Sequence, residues 1–511
     1  MFSDERAFRL RLFWEGALTG IVAGLVISLF RFILEQMDIY RPQFFAWFLD
    51  GHAWGFFVWS ALLLLIAWLL ARFLQWEPLI SGSGIPQVKG ILLGRIRMNA
   101  QRVLALKFIG GVLAIGAGMS LGREGPSVQL GACAGQWFSR LCSRPRSEER
   151  FLLTAGSGAG LAAAFNAPLA GVIFCLEELT KSFSPLVLMA TVAATVSAAS
   201  IAAAFLGLES VFNIGELPVL TGPQYFPLLL LGIFAGASGV LFNRVLLFSL
   251  DAYKRLSLPN TAKFLIPLFL AFVFSFFLPE VLGGGSHLVD TLIVRDFSTS
   301  FLLLLLTMKF LFTMLCFGSG VPGGIFLPML VLGALSGAVF AKGATFLGLA
   351  EPGITSSFVV YGMAAYFAAV VKSPITGSVL IIEMTGSFHH LLALVFVAIT
   401  AYLVSDLLHG EPVYETLLSR LLVARAKYRQ IQAHHRTITE FIVGEGSALD
   451  GRSVADIRWP SDCLLVQVRR GETELIPTGR LVLKSGDYIY ALIDDTGIAD
   501  FEDLAQEKPF G

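Results

Sequence analysis

GREGPSVQLGACAG (Gly122–Gly135) returns about 200 residues later as GIFLPMLVLGALSG (Gly324–Gly337). Gly122, Pro126, Leu130, Gly131, Ala132 and Gly135 find counterparts in Gly324, Pro328, Leu332, Gly333, Ala334 and Gly337, whereas Glu124 stands opposite Phe326. A second pair follows each of these, NAPLAGVIFCLEEL (Asn166–Leu179) and KSPITGSVLIIEMT (Lys372–Thr385), aligning Glu177 with Glu383 and Glu178 with Met384. Matched blocks in the same order predict a chain of two homologous halves. Weak internal symmetry of this kind marks membrane transporters, with the binding site at the repeat interface.

The composition agrees with a membrane setting. Hydrophobic residues make up 55% of the 511, charged residues only 14%, and the mean hydropathy is +0.74; a soluble domain carries about a quarter of its residues charged. The 37 basic and 37 acidic residues cancel, and no basic stripe with interleaved aromatics points to nucleic acid as a partner. Cys133, Cys142, Cys175, Cys316 and Cys463 form no CxxC pair, so neither a disulfide framework nor a zinc site is expected. His389 and His390 are adjacent, as are His434 and His435; neighbours in sequence face different sides of a helix, so these are read as surface or boundary residues. No metal and no cofactor is expected. HExxH and Walker A sequences are absent, which argues against an enzyme.

Apolar runs at Phe13–Leu34, Gly55–Phe73, Val103–Met119, Leu186–Leu206, Tyr225–Phe248, Phe264–Leu278, Phe301–Phe317 and Leu391–Leu408 approach the roughly 20 helical residues that a hydrocarbon core requires. The runs after Pro126, Pro168, Pro328 and Pro374 read as shorter, each introduced by Gly or Pro. Short apolar helices at matching places in two halves are the pattern of helices that begin inside a membrane, around a binding site. The opening MFSDERAFRLR is polar and leads into a full span, so no cleavable signal is expected. Basic residues gather at Arg6, Arg9 and Arg11, at Arg140, Arg144, Arg146 and Arg150, and at Arg420, Arg425, Lys427 and Arg429. The positive-inside rule puts all three groups, and both termini, in the cytoplasm.

Three segments share one design: SGSGIPQ around Ser83, LGREGPS around Glu124, and SGVPGGIFLP around Ile325 and Phe326. Glycines allow tight turns, and the proline falls where the first turn of a helix tolerates it. Each is therefore a candidate helix start. Unbonded N–H groups and the positive end of the helix dipole together make an anion site. Three converging starts would hold a partly dehydrated anion without the full positive charge that would keep it from leaving.

GSGIP, GREGP and GGIFLP, in this order, with AFNAPLAGVIFCLEEL and the late tyrosine of GEPVYETLL, resemble the CLC chloride channel and transporter family over roughly residues 10–425. The resemblance implies an all-α polytopic membrane protein, a homodimer in the lipid bilayer of the plasma (inner) membrane, each subunit with its own pore. It implies two inverted halves of tilted and partial helices, roughly 10–210 and 220–425, in a membrane domain of residues 1–428. Ser83 then matches the serine whose hydroxyl contacts the central chloride, and Tyr414 the tyrosine whose phenol contacts the same ion. The N–H groups of Ile325 and Phe326 match those facing the ion, and Glu124 matches the gating glutamate that is also the outer proton site. Glu178 matches the inner, cytoplasm-facing proton glutamate, with Glu177 its neighbour on the proton path. Gln87 and Leu327 depart from the common Glu and Ala at positions that make no direct anion contact in the family.

The physics of the residues fits those roles. A carboxylate in a low-dielectric pore is costly, so Glu124 competes with chloride for the helix termini when ionised and takes up a proton when displaced. Glu178 offers a second station in an apolar run, which favours coupled chloride/proton antiport. Its competing structural reading is a helix-end carboxylate paired with Lys181 at i+3. For Glu383 the structural reading is preferred, as a buried acid held by backbone N–H groups. A passive voltage- or pH-gated chloride channel remains open as an alternative. So does a cation transporter with a regulatory tail, although no TVGYG-like carbonyl loop occurs. A fluoride-selective relative is disfavoured by the GSGIP serine and the second glutamate.

Beyond about Arg429 the pattern changes to short β-rich runs at Cys463–Val468, Thr473–Ile476 and Tyr488–Leu492, divided by turn residues. Residues 429–511 read as a small soluble α/β domain. GSALDGRSVADI, RRGETELIPTGRLVLKSGD and YIYALID resemble the TrkA-C (RCK-C) domain, which implies a regulatory role through dimerisation or an unknown small-molecule ligand.

Overall fold

The computed structural model describes residues 2–49, 53–207, 211–212, 220, 222–351, 353–430, 436–460, 463–471, 473–494 and 498–505. The side chains of Arg6, Arg146, Lys427 and Arg429, and all of His434 and His435, lie outside the described residues. The chain divides into two compact units, Met1–Ser419 and Arg420–Gly511.

The first unit is helical. Its helices are α1 (Phe2–Leu49), α2 (Ala53–Trp76), α3 (Ile85–Leu92), α4 (Ala100–Gly116), α5 (Glu124–Leu141), α6 (Arg146–Phe165), α7 (Pro168–Phe174) and α8 (Pro185–Leu206). The series then repeats as α9 (Tyr225–Arg255), α10 (Asn260–Phe277), α11 (Ser286–Val294), α12 (Thr299–Gly318), α13 (Phe326–Phe346), α14 (Thr355–Val371), α15 (Pro374–Thr385) and α16 (Leu391–Leu407). A last helix, α17 (Val413–Gln430), starts in this unit. Packing repeats as well: α1 lies on α8 as α9 lies on α16, and α5 lies on α6 as α13 lies on α14.

The matched glycines of the sequence explain that last pairing. A methyl group on Gly131 would collide with the Gly156 carbonyl, and one on Gly135 with the Leu152 carbonyl. In the second half Gly333 meets the Gly362 carbonyl and Gly337 the Phe358 carbonyl in the same way. Where lipid replaces water, small residues that let helix backbones touch supply the association through dispersion contacts.

Eight described helices are long and apolar enough to cross a membrane, and their exposed surfaces carry Leu, Phe, Ile and Trp side chains. The chain is a multi-pass membrane protein. The set differs from the expected one at two places. The run from Val103 folds as α4, 17 residues long, and stays below a full span. The run around Pro328, read as short, continues without a break as α13 over 21 residues, because Pro328 sits in its first turn and costs no hydrogen bond there. The shortness expected after Pro168 and Pro374 holds, with α7 of 7 residues and α15 of 12. The buried α14 went unnoticed among the sequence runs. His390, expected at the surface or a boundary, is buried, with Nδ1 2.7 Å from the Tyr361 hydroxyl.

Two lysines tie this scaffold together. Lys107 of α4 is buried and donates to the carbonyls of Ile80 (2.8 Å) and Gly82 (2.5 Å). Lys309, at the matching place on α12, donates to those of Val281 (2.9 Å) and Gly283 (2.8 Å). A buried ammonium is tolerated only where several acceptors satisfy it.

The second unit contains an antiparallel sheet of β1 (Arg436–Ile442), β2 (Leu464–Arg470), β3 (Thr473–Leu475) and β4 (Tyr488–Asp494) in the order β1-β4-β2-β3. A helix, α18 (Ile498–Ala505), supplies Phe501 to a separate core with Phe441, Val468 and Ile489. Strand β1 was not anticipated from the sequence. Burial works against the charge of Asp487, but Arg470 (2.6 and 2.7 Å) and the Lys484 N–H (2.9 Å) outweigh it and hold its carboxyl below the usual aspartate range.

Candidate functional site

All three expected helix starts are helix starts. Gly84 precedes α3 with φ 102°, a left-handed conformation that favours glycine. Glu124 is the first residue of α5 and Phe326 the first of α13. Backbone pairing draws them together. Gly122 and Gly324, matched residues of the repeat, exchange reciprocal hydrogen bonds of 2.7 and 2.8 Å. Reciprocal bonding between counterparts is what a pseudo-two-fold axis passing between them produces. Gly82 is joined to the same region, its N–H donating to the Val321 carbonyl and its carbonyl accepting from the Gly323 N–H, both at 3.1 Å. A methyl on Gly125 would collide with the Ser83 hydroxyl, so Ser83 abuts the start of α5.

The side chains at this junction are unequal. The Glu124 carboxylate is fully buried, and its Oε2 accepts from the Leu327 N–H at 3.3 Å, in the first turn of α13. Among the described residues its Oε1 has no hydrogen-bond partner, and the buried Ser83 and Tyr414 hydroxyls, which lie beside one another, bond no other group. The Phe326 ring is turned into an aromatic cluster with Phe165, Phe174 and Phe367 at centroid distances of 5.5, 6.4 and 4.9 Å. Phe326 therefore offers the junction its backbone, and the N–H groups of Ile325 and Phe326 stand at the start of α13, where no residue of that helix can accept from them. The nearby cations are engaged elsewhere: Arg123 pairs with Glu35 at 3.2 Å, and Lys107 with its two carbonyls. Such a junction of helix dipoles and hydroxyls suits one compact anion, and a carboxylate now sits at its edge.

Glu177 and Glu178 point apart. They lie in a π-helical turn, Cys175–Leu179, at the end of α7. Glu177 caps α15, accepting from the Ile375 N–H (3.2 Å), the Thr376 N–H (2.6 Å) and the Thr376 hydroxyl (2.6 Å). Its repeat counterpart Glu383 caps α7 in return, accepting from the N–H groups of Leu169 (3.0 Å) and Ala170 (2.7 Å). This is the backbone-held acid expected of Glu383.

Glu178 is buried and holds the Lys89 ammonium at 2.8 Å and the Ser373 hydroxyl at 3.0 Å. The pairing with Lys181 considered from the sequence does not form; Lys181 bonds Glu415 instead. Lys89 was missed, although a lone lysine inside the apolar α3 was a legible signal, since intramembrane charges seek partners. Lys107 and Lys309 carried the same signal in their own apolar runs.

Comparison with known proteins agrees with this architecture. A family model described as voltage gated chloride channel matches residues 62–406, and one described as TrkA-C domain matches residues 438–506. The H(+)/Cl(-) exchange transporter ClcA of Cronobacter sakazakii is 36% identical over 440 residues, covering 82% of this chain and 92% of that protein. The protein of the same name from Vibrio cholerae is 38% identical over 432 residues, covering 79% and 88%. Among solved structures, a slow cyanobacterial Cl-/H+ antiporter shares 31% identity with a TM-score of 0.75, covering 81% of this chain and 98% of that one. A CLC-type fluoride/proton antiporter, at 24% identity and a TM-score of 0.65, shares the fold over 78% of this chain and 95% of its own. With a doubled helical scaffold, matched helix starts and a family match over most of its length, this chain belongs to the CLC voltage gated chloride channel family and carries a TrkA-C domain after it.

Proposed function

We propose that this protein exchanges chloride for protons across a membrane, with an anion site at the meeting point of α3, α5 and α13. The observation that carries the reading is the Glu124 carboxylate on the first turn of α13, 3.3 Å from the Leu327 N–H. A place that accepts a carboxylate accepts chloride, and the two exclude each other. Ser83 and Tyr414 supply hydroxyls, and Ile325 and Phe326 supply N–H groups, to the bound ion. Hydrogen bonds to a charged partner contribute about 1.5–3 kcal/mol each, enough to offset part of the lost hydration.

Glu124 leaves the helix terminus when chloride arrives, takes a proton, and returns to hand it inward. Glu178 receives protons on the other side, held ready by Lys89 and Ser373. The relatives named as H(+)/Cl(-) exchange transporters support exchange over passive conduction. It is a transporter rather than an enzyme in this reading. The protein works as a homodimer in the plasma (inner) membrane with cytoplasmic termini, as the likeness to the family implies. Arg11 pairs with Glu148 at 3.2 Å and Arg144 bonds Glu15, which puts the first two basic groups on one face, as the positive-inside rule requires. The tail, from about residue 429, is a regulatory module.

The test is a proteoliposome assay that follows chloride and pH together. A chloride gradient should drive protons uphill. Glu178→Gln should stop proton movement while chloride still passes. Chloride flux that moves no protons in the wild type would sink the exchange reading.

A further inference from the structure

Lys89 stands between two carboxylates. Its ammonium is 2.8 Å from Glu178 and 3.7 Å from Glu415, and its side chain is 6% exposed where those of Glu178 and Glu415 are 1% and 39% exposed. Glu415, in the first turn of α17, also holds Lys181, whose side chain is 49% exposed. Four alternating charges, Glu178, Lys89, Glu415 and Lys181, thus lead from the interior to the surface.

The other surroundings of Glu178 are accounted for. Ser373 at the start of α15 donates to its second oxygen, Tyr414 of α17 lies close enough to feel its charge, and Glu177 is spent on capping α15. Helix α8 carries no charged residue. The described charged side chains of α6 are all near its start: Glu148 pairs with Arg11, Glu149 accepts from Gln136, and Arg150 donates to the Leu92 carbonyl. Lys89 is therefore the one cation in hydrogen-bond contact with Glu178 among the described residues.

A proton arriving on Glu178 would strip Lys89 of its partner, and a buried charge left uncompensated is strongly unfavourable. Glu415 lies within Coulomb reach, and the lysine stem is flexible. We propose that Lys89 swings from Glu178 to Glu415 each time Glu178 is protonated, so that Glu415 is a positioning residue which makes loading of Glu178 possible. This inference rests on Glu178 being the inner proton station. It adds a residue that no comparison assigns, and leaves Glu177 as structure.

The sign follows from the charges. Without Glu415 the ammonium has nowhere to go, so Glu178 keeps its charge and accepts a proton only at lower pH. In proteoliposomes of the full chain, the pH at which chloride-driven proton uptake is half-maximal should fall by about one unit in Glu415→Gln, a tenfold change in proton concentration. Glu415→Asp should restore the wild-type midpoint. In a Lys89→Met background, whose own midpoint should rise, Glu415→Gln should shift it by less than a third of that amount. A purely structural Glu415 would lower rates at every pH alike. An unchanged midpoint in Glu415→Gln, or the same shift with and without Lys89, overturns the proposal while wild-type exchange stands. Absence of proton uptake in the wild type overturns the exchange reading and this inference with it.

Discussion

The first half of the membrane unit presents Glu124 and Glu178 where the second half presents Phe326 and Met384, yet Glu177 and Glu383 are the same residue in both. The identical pair makes matching backbone contacts: each carboxylate caps a short helix of the opposite half, Glu177 on α15 and Glu383 on α7. Lys107 and Lys309 behave alike too, each gathering two carbonyls of the turn that precedes a short helix. The unequal pairs diverge. Glu124 sits on a helix terminus while Phe326 packs among rings, and Glu178 holds an ammionium-bearing side chain while Met384 is plain core. A further inequality appears in the fold: Gly82 and Gly84, with φ of 62° and 102°, correspond to Gly283 and Gly285, with φ of 59° and 93°. Ser83 then stands opposite Gly284. Positions that the halves share build the scaffold, and positions where they differ hold the groups proposed to handle ions.

That contrast can be broken most sharply at Glu124. Glu124→Gln should leave chloride flux in place and reduce proton coupling to background, since an amide neither competes as an anion nor carries a proton; simultaneous pH and chloride recording checks this, and surviving proton transport would remove Glu124 from its gating role.

The lysines offer a subtler test. Lys107→Met leaves the buried Ile80 carbonyl unpaired, since Gly82 keeps its bond from the Gly323 N–H, whereas Lys309→Met orphans the carbonyls of both Val281 and Gly283; at about 1–3 kcal/mol per unsatisfied group, thermal denaturation in detergent should show the larger loss in Lys309→Met. Chloride binding measured by calorimetry should weaken only in Lys107→Met, because only its turn carries Ser83, where the other has Gly284. Equal weakening in both would mean that the Ser83 turn holds no ion.

The smallest effects belong to the helix caps. Glu177→Gln and Glu383→Gln should each cost about 0.5–2 kcal/mol, the range for losing a cap, and should leave the proton-to-chloride ratio unaltered. A ratio that falls in Glu177→Gln alone would return Glu177 to the proton path, where the family resemblance first put it.

Much of this was legible without coordinates because the signals are local or repeated. The duplication is visible in six aligned positions, and the three helix starts announce themselves by Gly and Pro in the order that a helix N-terminus demands. The apolar excess decides the solvent. The strand runs of the tail alternate with turn residues, although β1 escaped notice. Even Lys89, Lys107 and Lys309 could have been singled out as lone charges in apolar runs, but not given partners.

The sequence by itself determined the doubled helical scaffold, its membrane setting and which residue types stand at each helix start. Only the tertiary structure decided who meets whom. Glu178 reaches Lys89 across 89 positions, Glu177 reaches Ile375 across 198, and Glu124 reaches Leu327 across 203. Helix starts and repeats are written in neighbouring residues, whereas an ion pair or a swapped cap depends on how distant helices are docked. That docking is set by the summed packing of many small residues, among them Gly131 against Gly156 and Gly333 against Gly362, and no single local pattern records it.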